Sequence, residues 1–277
     1  MHRKEFLKLS VPAFLLLANG NIIRANDFLL SPEHRKKVRL RFVVASDGHY
    51  GQPKTDFEEY FSTIVSRINE EHARDPFEFC VINGDIIHDD KAHFPAAKQA
   101  LDKLAPKYYV SQGNHDHATP GEWNEVWGMP VNFDFSVKKN SFLVATTSNE
   151  KGTYLCPDTD WLRQRLEAHK KQDNIFIFMH INPAKLTKHA VDCAELFGIL
   201  KEYRNTRAIF NGHDHDEDGI KMRENIPFVF DAHFGGSWGT RYRGFRVVEL
   251  MKDNSIVTYI MDPEKRINTG RIDPVIR

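Results

Sequence analysis

Five apolar runs in this chain each end in a short cluster of Gly, Asp, Asn or His. Phe42-Val43-Val44-Ala45-Ser46 leads into Asp47-Gly48-His49, and Phe79-Cys80-Val81-Ile82 leads into Asn83-Gly84-Asp85. Tyr109-Val110-Ser111-Gln112 leads into Gly113-Asn114-His115-Asp116, Ile175 to Met179 into His180, and Ala208-Ile209-Phe210 into Asn211-Gly212-His213-Asp214-His215. Carboxylate oxygen, amide oxygen and imidazole nitrogen are the atoms such clusters offer. That mixed set suits Zn, Mn or Fe as divalent ions better than Ca or Mg. Asp47/His49 and His213/His215 are spaced i, i+2, so in extended backbone each pair faces one way. Gly84, Gly113 and Gly212 permit turns and close backbone approach that a Cβ would block. Seven candidate ligands, namely Asp47, His49, Asp85, Asn114, His180, His213 and His215, exceed the needs of one tetrahedral ion. Two divalent ions sharing a carboxylate would use them all.

The elements that must position these residues alternate. Strand-like segments at 38–45, 77–82, 107–111, 133–137, 141–147, 175–179 and 207–210 are interleaved with helical spacing at 55–72, 94–104, 158–171 and 192–203. Asp158 is placed to cap the third helix. Further strands are expected at 226–231, 244–250 and 255–260. Alternating β and α segments with a β-rich end predict an α/β layered sandwich, in which sites form at the carboxyl ends of strands.

With the motifs in this order, the chain resembles the calcineurin-like metallophosphoesterases from about Asp47 to His215, most closely the bacterial cyclic-nucleotide and glycerophosphodiester phosphodiesterase branch. The stretches Gly235-Gly236-Ser237-Trp238-Gly239 and Gly244-Phe245-Arg246-Val247 look like the strands after the site in exported members. The resemblance implies a four-layer αββα sandwich over residues 38–262, with 21–37 as a lead-in and 263–277 as a tail. It implies that Asp47, His49 and His215 hold one metal, that Asn114, His180 and His213 hold the other, and that Asp85 bridges them. His115 becomes the candidate general acid, with Asp116 orienting it. The implied reaction is hydrolysis of a small phosphoester, a diester before a monoester, by a hydroxide held between the ions. His88 stands where purple acid phosphatases carry a metal-binding Tyr and is expected to be solvated. His117, His189 and His233 are expected at the surface, and residues 214–218 as a solvated acidic turn.

Rival readings fail on particular residues. After His213-Asp214-His215-Asp216 come Glu217 and Asp218, not the Asp-His of metallo-β-lactamase-type hydrolases. A calcium loop starting at Asp214 would need Glu where Asn225 stands. No P-loop is present. A non-catalytic scaffold of the same fold would be expected to have lost ligands. A monoesterase would need added cations, for which Arg241 and Arg243 are the candidates.

The bulk composition is neutral ground. Lys+Arg and Asp+Glu both number 38 in 277 residues, which indicates neither a nucleic-acid nor a membrane partner. His2, Arg3, Lys4 and Lys8 followed by the apolar run Val11 to Ala18 read as a secretory signal over residues 1–20, with a twin-arginine-like start. Export, to a periplasm, is therefore expected over a cytoplasmic location. Cys80, Cys156 and Cys193 do not form a disulfide framework, and pairing of Cys156 with Cys193 is not expected.

Overall fold

The computed structural model describes residues 16–18, 21–23, 32–263 and 265–274. The signal-like stretch falls outside them, apart from Leu16–Ala18 (β1), which pairs antiparallel with Asn21–Ile23 (β2).

Two six-stranded mixed sheets form the body. One has the order β14-β13-β12-β3-β4-β5, and the other β10-β11-β9-β8-β7-β6. In the first, β3 (Val38–Ala45), β4 (Cys80–Asn83) and β5 (Tyr108–Ser111) are parallel, while β12 (Phe245–Met251), β13 (Ile256–Met261) and β14 (Arg266–Ile272) run antiparallel beside them. In the second, β7 (Asn140–Val144), β8 (Asn174–Phe178), β9 (Thr206–Asn211) and β11 (Ile226–Phe230) are parallel, flanked by antiparallel β6 (Phe133–Val137) and β10 (Ile220–Arg223).

The period of two along each strand sorts side chains into layers. In β3, Phe42 and Val44 face the core between the sheets, and Val43 and Ala45 face an outer core. In β8, Phe176 and Phe178 face inward, and Ile175 and Ile177 outward. Because both faces are covered, the central strands read as continuous apolar runs. Phe42 sits at the middle of the inner core, with ring centroids 5.0 Å from Phe79, 5.5 Å from Phe142 and 5.7 Å from Phe176. Burial of each such side chain contributes about 1.5–3 kcal/mol.

Helices α2 (Phe57–Arg74), α3 (Phe94–Leu101) and α4 (Pro120–Trp127) cover the first sheet, and α5 (Thr159–Ala168) and α6 (Ala194–Leu200) the second. The result is the four-layer αββα sandwich expected. Asp158 caps α5, accepting from Trp161 N at 2.9 Å. Helix α4 was not expected, because Pro120 and Gly121 disguise its start. Its signal is the capping box Thr119-x-x-Glu122, in which each residue accepts the other's backbone N–H.

The boundaries need correction at both ends. Residues 266–272, assigned to a tail, form edge strand β14, paired with β13 from Met261↔Arg266 to Ile256↔Ile272. In the lead-in, Pro32–Arg35 forms a short helix (α1) whose His34 Nε2 lies 2.6 Å from Glu249 Oε2 in β12. The cysteines need correction too: Cys156 and Cys193 are joined as a disulfide. It links the segment after β7 to the residue just before α6. Thirty-seven positions separate the two, so sequence distance gave no hint of their proximity.

Candidate metal centre

The parallel strands of both sheets point the same way, and their carboxyl ends meet across the sandwich. Asp47 and His49 follow β3, Asp85 follows β4, and Asn114 follows β5. His180 follows β8, and His213 and His215 follow β9. Backbone bonds lock neighbouring ends together: Asp47 N donates to Gly84 O (3.0 Å), His49 N to Asp85 O (3.0 Å) and Gly212 N to His180 O (3.1 Å). The Asp47 carboxylate ties one sheet to the other by accepting His213 N–H at 3.0 and 3.1 Å.

Four of the seven candidate ligands have left-handed backbone: Asp47 (φ 59), His49 (φ 47), Asp85 (φ 49) and His213 (φ 68). Each such non-glycine residue costs about 1–3 kcal/mol, and strain of this kind concentrates at functional sites. Close packing adds a second constraint. A Cβ on Gly84 (φ +88) would lie 2.4 Å from His180 Nδ1, and one on Gly113 would lie 2.2 Å from Asp85 N.

The ligand atoms gather in two groups. Those of Asp47, His49 and His215 all lie within 4.8 Å of one another, as do those of Asp85, His180 and His213. His215 Nε2 is 3.1 Å from Asp47 Oδ1 and 3.0 Å from His49 Nε2. Asp85 stands between the groups, with Oδ2 3.2 Å from His180 Nε2 and 3.8 Å from His49 Nε2. Its Oδ1 accepts His115 N–H at 2.8 Å.

The second nitrogen of two of the four candidate histidines tests whether a metal fits. His180 Nδ1 lies 2.7 Å from Asn83 O, and His215 Nδ1 lies 3.1 Å from Trp238 O. A carbonyl oxygen only accepts, so each Nδ1 carries a proton and Nε2 is the nitrogen left to face a cation. Asn114 Oδ1, His180 Nε2 and His213 Nε2 are buried with no hydrogen bond to satisfy them, His180 Nε2 having only the ion-pair contact with Asp85 Oδ2 at 3.2 Å. Buried polar atoms are nearly always satisfied. Three orphans on three strand ends, all of ligand type, fit a cation.

The electrostatics agree. Burial pushes Asp47 up, but the His215 and His180 imidazoles outweigh it and hold the carboxyl at about 2. Asp85 is driven well below the carboxylate range by His180 and His49, against burial. Burial takes His49 down to about 3 and His213 down to about 4. Burial also works to lower His180, but the charges of Asp85 and Asp47 raise it to about 10. Two buried carboxylates that pull a proton onto His180 will pull a divalent cation still harder.

Around the groups the structure departs from expectation. Asp116 does not orient His115. It is buried and turned back into the loop, where Oδ1 accepts from Ile86 N (2.9 Å) and Ile87 N (3.1 Å) and Oδ2 from Gly113 N (2.7 Å). Burial and the Asp85 charge raise it to about 7. The partner of His115 is Asp89, whose Oδ1 lies 2.6 Å from His115 Nδ1 and 3.2 Å from His117 Nε2.

His88 is not a solvated bystander. Its Nδ1 lies 3.1 Å from His49 Nδ1, and its ring stacks on His115 at 5.0 Å. His233 is buried, bonded to Gly235 O and stacked 4.9 Å from His215, so it is part of the scaffold. His189 stands 6.2 Å from the His213 ring. In the acidic run, Asp214 is buried and accepts Thr187 Oγ1–H at 2.8 Å. Arg243 is committed elsewhere, donating to Gly236 O at 2.8 Å with its guanidinium over Tyr60.

Known proteins share this arrangement at the level of fold. A dimetal phosphatase from Danio rerio is 13% identical with a TM-score of 0.67, the likeness covering 85% of this chain and 99% of that one. Purple acid phosphatase PPD1 from yellow lupin (Lupinus luteus) seeds is 13% identical with a TM-score of 0.64, covering 84% and 53%. GAP50, the anchor in the inner membrane complex of Plasmodium, is 14% identical with a TM-score of 0.64, covering 87% and 90%. Among curated proteins, none matches at the level of sequence. The family model for the calcineurin-like phosphoesterase matches residues 40–217, which takes in every candidate ligand from Asp47 to His215. The chain belongs to the calcineurin-like phosphoesterase family.

Proposed function

We propose that this protein is a phosphoester hydrolase with two divalent metals, held by Asp47, His49 and His215 on one side and Asn114, His180 and His213 on the other, with Asp85 shared. The observation that carries the reading is the set of buried ligand-type atoms on Asn114, His180 and His213 that no hydrogen bond satisfies. Cations bound in such a pair of sites supply Lewis acidity for phosphoryl oxygens and lower the pKa of water to about 7. The protein's own part is to orient and to move a proton. Carbonyls at Asn83 and Trp238 fix the tautomers of His180 and His215. His115 is partly exposed at the rim, and Asp89 engages its Nδ1. That leaves Nε2 to deliver a proton to the departing alkoxide.

Diesters are the preferred class in this reading. A dianionic monoester calls for an added cationic clamp, and the commitment of Arg243 to Gly236 O and Tyr60 removes one of the two candidates. Export is also part of the proposal. It is supported by the basic and apolar amino terminus and by the Cys156–Cys193 disulfide, since such bonds persist in oxidising compartments.

The test is metal content measured on the same sample as turnover of paired diester and monoester nitrophenyl phosphates. The expected result is about two equivalents of metal and a higher kcat/KM for the diester. A metal-replete protein that cleaves neither would sink the reading. A monoester preference of about tenfold, roughly 1.4 kcal/mol, would reassign it as a phosphatase.

A further inference from the structure

Among the described residues four large hydrophobic side chains stand well exposed: Tyr154, Leu155, Met222 and Trp238. Two of these are aromatic, and one lies over each candidate metal group. The Trp238 ring is stacked on His215 (4.3 Å, 7° between planes) and tilted 4.9 Å from His49. The Tyr154 ring meets His213 edge-on at 4.7 Å. They come from different loops, one after β11 and one after β7, yet both pack on candidate ligands. Neither joins an apolar core, and 44% of Trp238 and 40% of Tyr154 remain open to solvent. Exposed aromatic side chains packed directly on a polar, ligand-bearing cluster offer apolar contact area to a molecule bound there.

Both rings are held in place. Trp238 O accepts the His215 Nδ1–H at 3.1 Å, so the loop carrying the indole is tied to a candidate ligand. Tyr154 lies two residues before Cys156, which is bonded to Cys193. A ligand meeting rings already positioned pays little to order them. Indole and phenol rings favour flat, apolar partners through stacking and edge contacts. A small polyol would gain little from them.

We propose that Trp238 and Tyr154 form a subsite for the alcohol portion of the substrate, and that this portion is aromatic. The inference rests on the phosphoester reading given above and narrows its substrate class.

The test compares methyl phosphodiesters of phenethyl and propyl alcohol, whose leaving groups are similar in acidity, so that chemistry does not separate them. The expected outcome for the metal-loaded protein is a kcat/KM higher by about tenfold for the phenethyl ester, or about 1.4 kcal/mol, expressed mainly in KM. Tyr154→Ala and Trp238→Ala should each bring that ratio down to within about threefold of unity, while Trp238→Phe keeps most of it. Because Trp238 packs on His215, metal content is measured for every variant. If Trp238→Ala loses metal, Tyr154→Ala decides. Equal use of the two esters by the native protein, or an unchanged ratio in Tyr154→Ala, overturns the subsite. Failure of the metal-loaded protein to cleave either ester, or any nitrophenyl phosphate, overturns the phosphoester reading and the subsite with it.

Discussion

His115 has a carboxylate next to it in sequence and another next to it in space, and only the second touches its ring. Asp89 Oδ1 is 2.6 Å from His115 Nδ1, whereas both Asp116 oxygens accept backbone N–H groups. General acid catalysis contributes about 10²–10⁴-fold, and an alkoxide needs the proton far more than a nitrophenolate does. His115→Ala should therefore slow alkyl esters within that range and nitrophenyl esters much less, with metal content unchanged. Asp89→Asn should reproduce the same asymmetry in milder form, about tenfold. Paired rate measurements at saturating metal decide it, and equal losses for both leaving groups would make His115 a binding residue only. Asp85 and Asn114 divide differently. Asp85 lies between both groups, so Asp85→Ala should strip metal from both and abolish turnover. Asn114→Ala removes one unpartnered oxygen and should leave the first group loaded. Metal analysis after dialysis reads the difference. Two tightly held equivalents in Asp85→Ala would refute the shared carboxylate.

At the scale of elements, strand ends are held by polar ties across the fold as much as by the ladders. Glu249 in β12 is one such tie. It is buried, and it accepts from Arg41 Nε at 3.1 Å and from Tyr259 OH at 3.1 Å while meeting His34 Nε2 of α1 at 2.6 Å. Burial pushes its carboxyl up, but the His34 bond and the Arg41 charge more than reverse this, so it sits below its ordinary 4.5. A depressed folded pKa means that its stabilisation is complete above about pH 4.5 and is lost as pH falls through the folded value. Glu249→Ala should cost about 1–3 kcal/mol at neutral pH, because Arg41 and Tyr259 would lose a buried acceptor while Glu71 and Asp75 still face Arg41. The mutant should also lose less stability than the native protein on acidification below pH 4.5. Urea unfolding at neutral and acid pH measures both, and a neutral-pH loss under about 1 kcal/mol would show that the network is replaceable.

For the whole molecule, the disulfide is the one covalent tie between distant segments among the described residues. Closing a loop across 37 positions should stabilise by about 2–4 kcal/mol, by restricting the unfolded chain. Cys156→Ser with Cys193→Ser should lower stability by that amount in an oxidising buffer. The double variant should show no further loss with a thiol reductant, whereas the native protein should. Unfolding curves with and without reductant separate the cases, and a native protein indifferent to reductant would remove the bond from the account of stability. Buried Cys80, whose thiol burial pushes far up, should stay inert throughout.

What could be read without coordinates was the set of parts. Apolar runs ending in Asp, Asn, Gly and His are local patterns, and a strand delivers its next residues to its carboxyl end whichever sheet it joins. The ligand candidates, the layered α/β class and most element positions were therefore legible in the order of residues. Direction and proximity were not. Asp116 faces away from His115 because three backbone N–H groups outcompete the imidazole for it. Asp89 reaches the imidazole from a left-handed turn (φ 65) that no pattern announces. His88, Tyr154 and Trp238 reach the candidate ligands only because two sheets bring separate loops to one edge. Cys156 meets Cys193, and β14 finds β13, through long-range packing. Local sequence sets which way a strand's pattern alternates, but which distant groups satisfy a buried polar atom is settled only when the layers close.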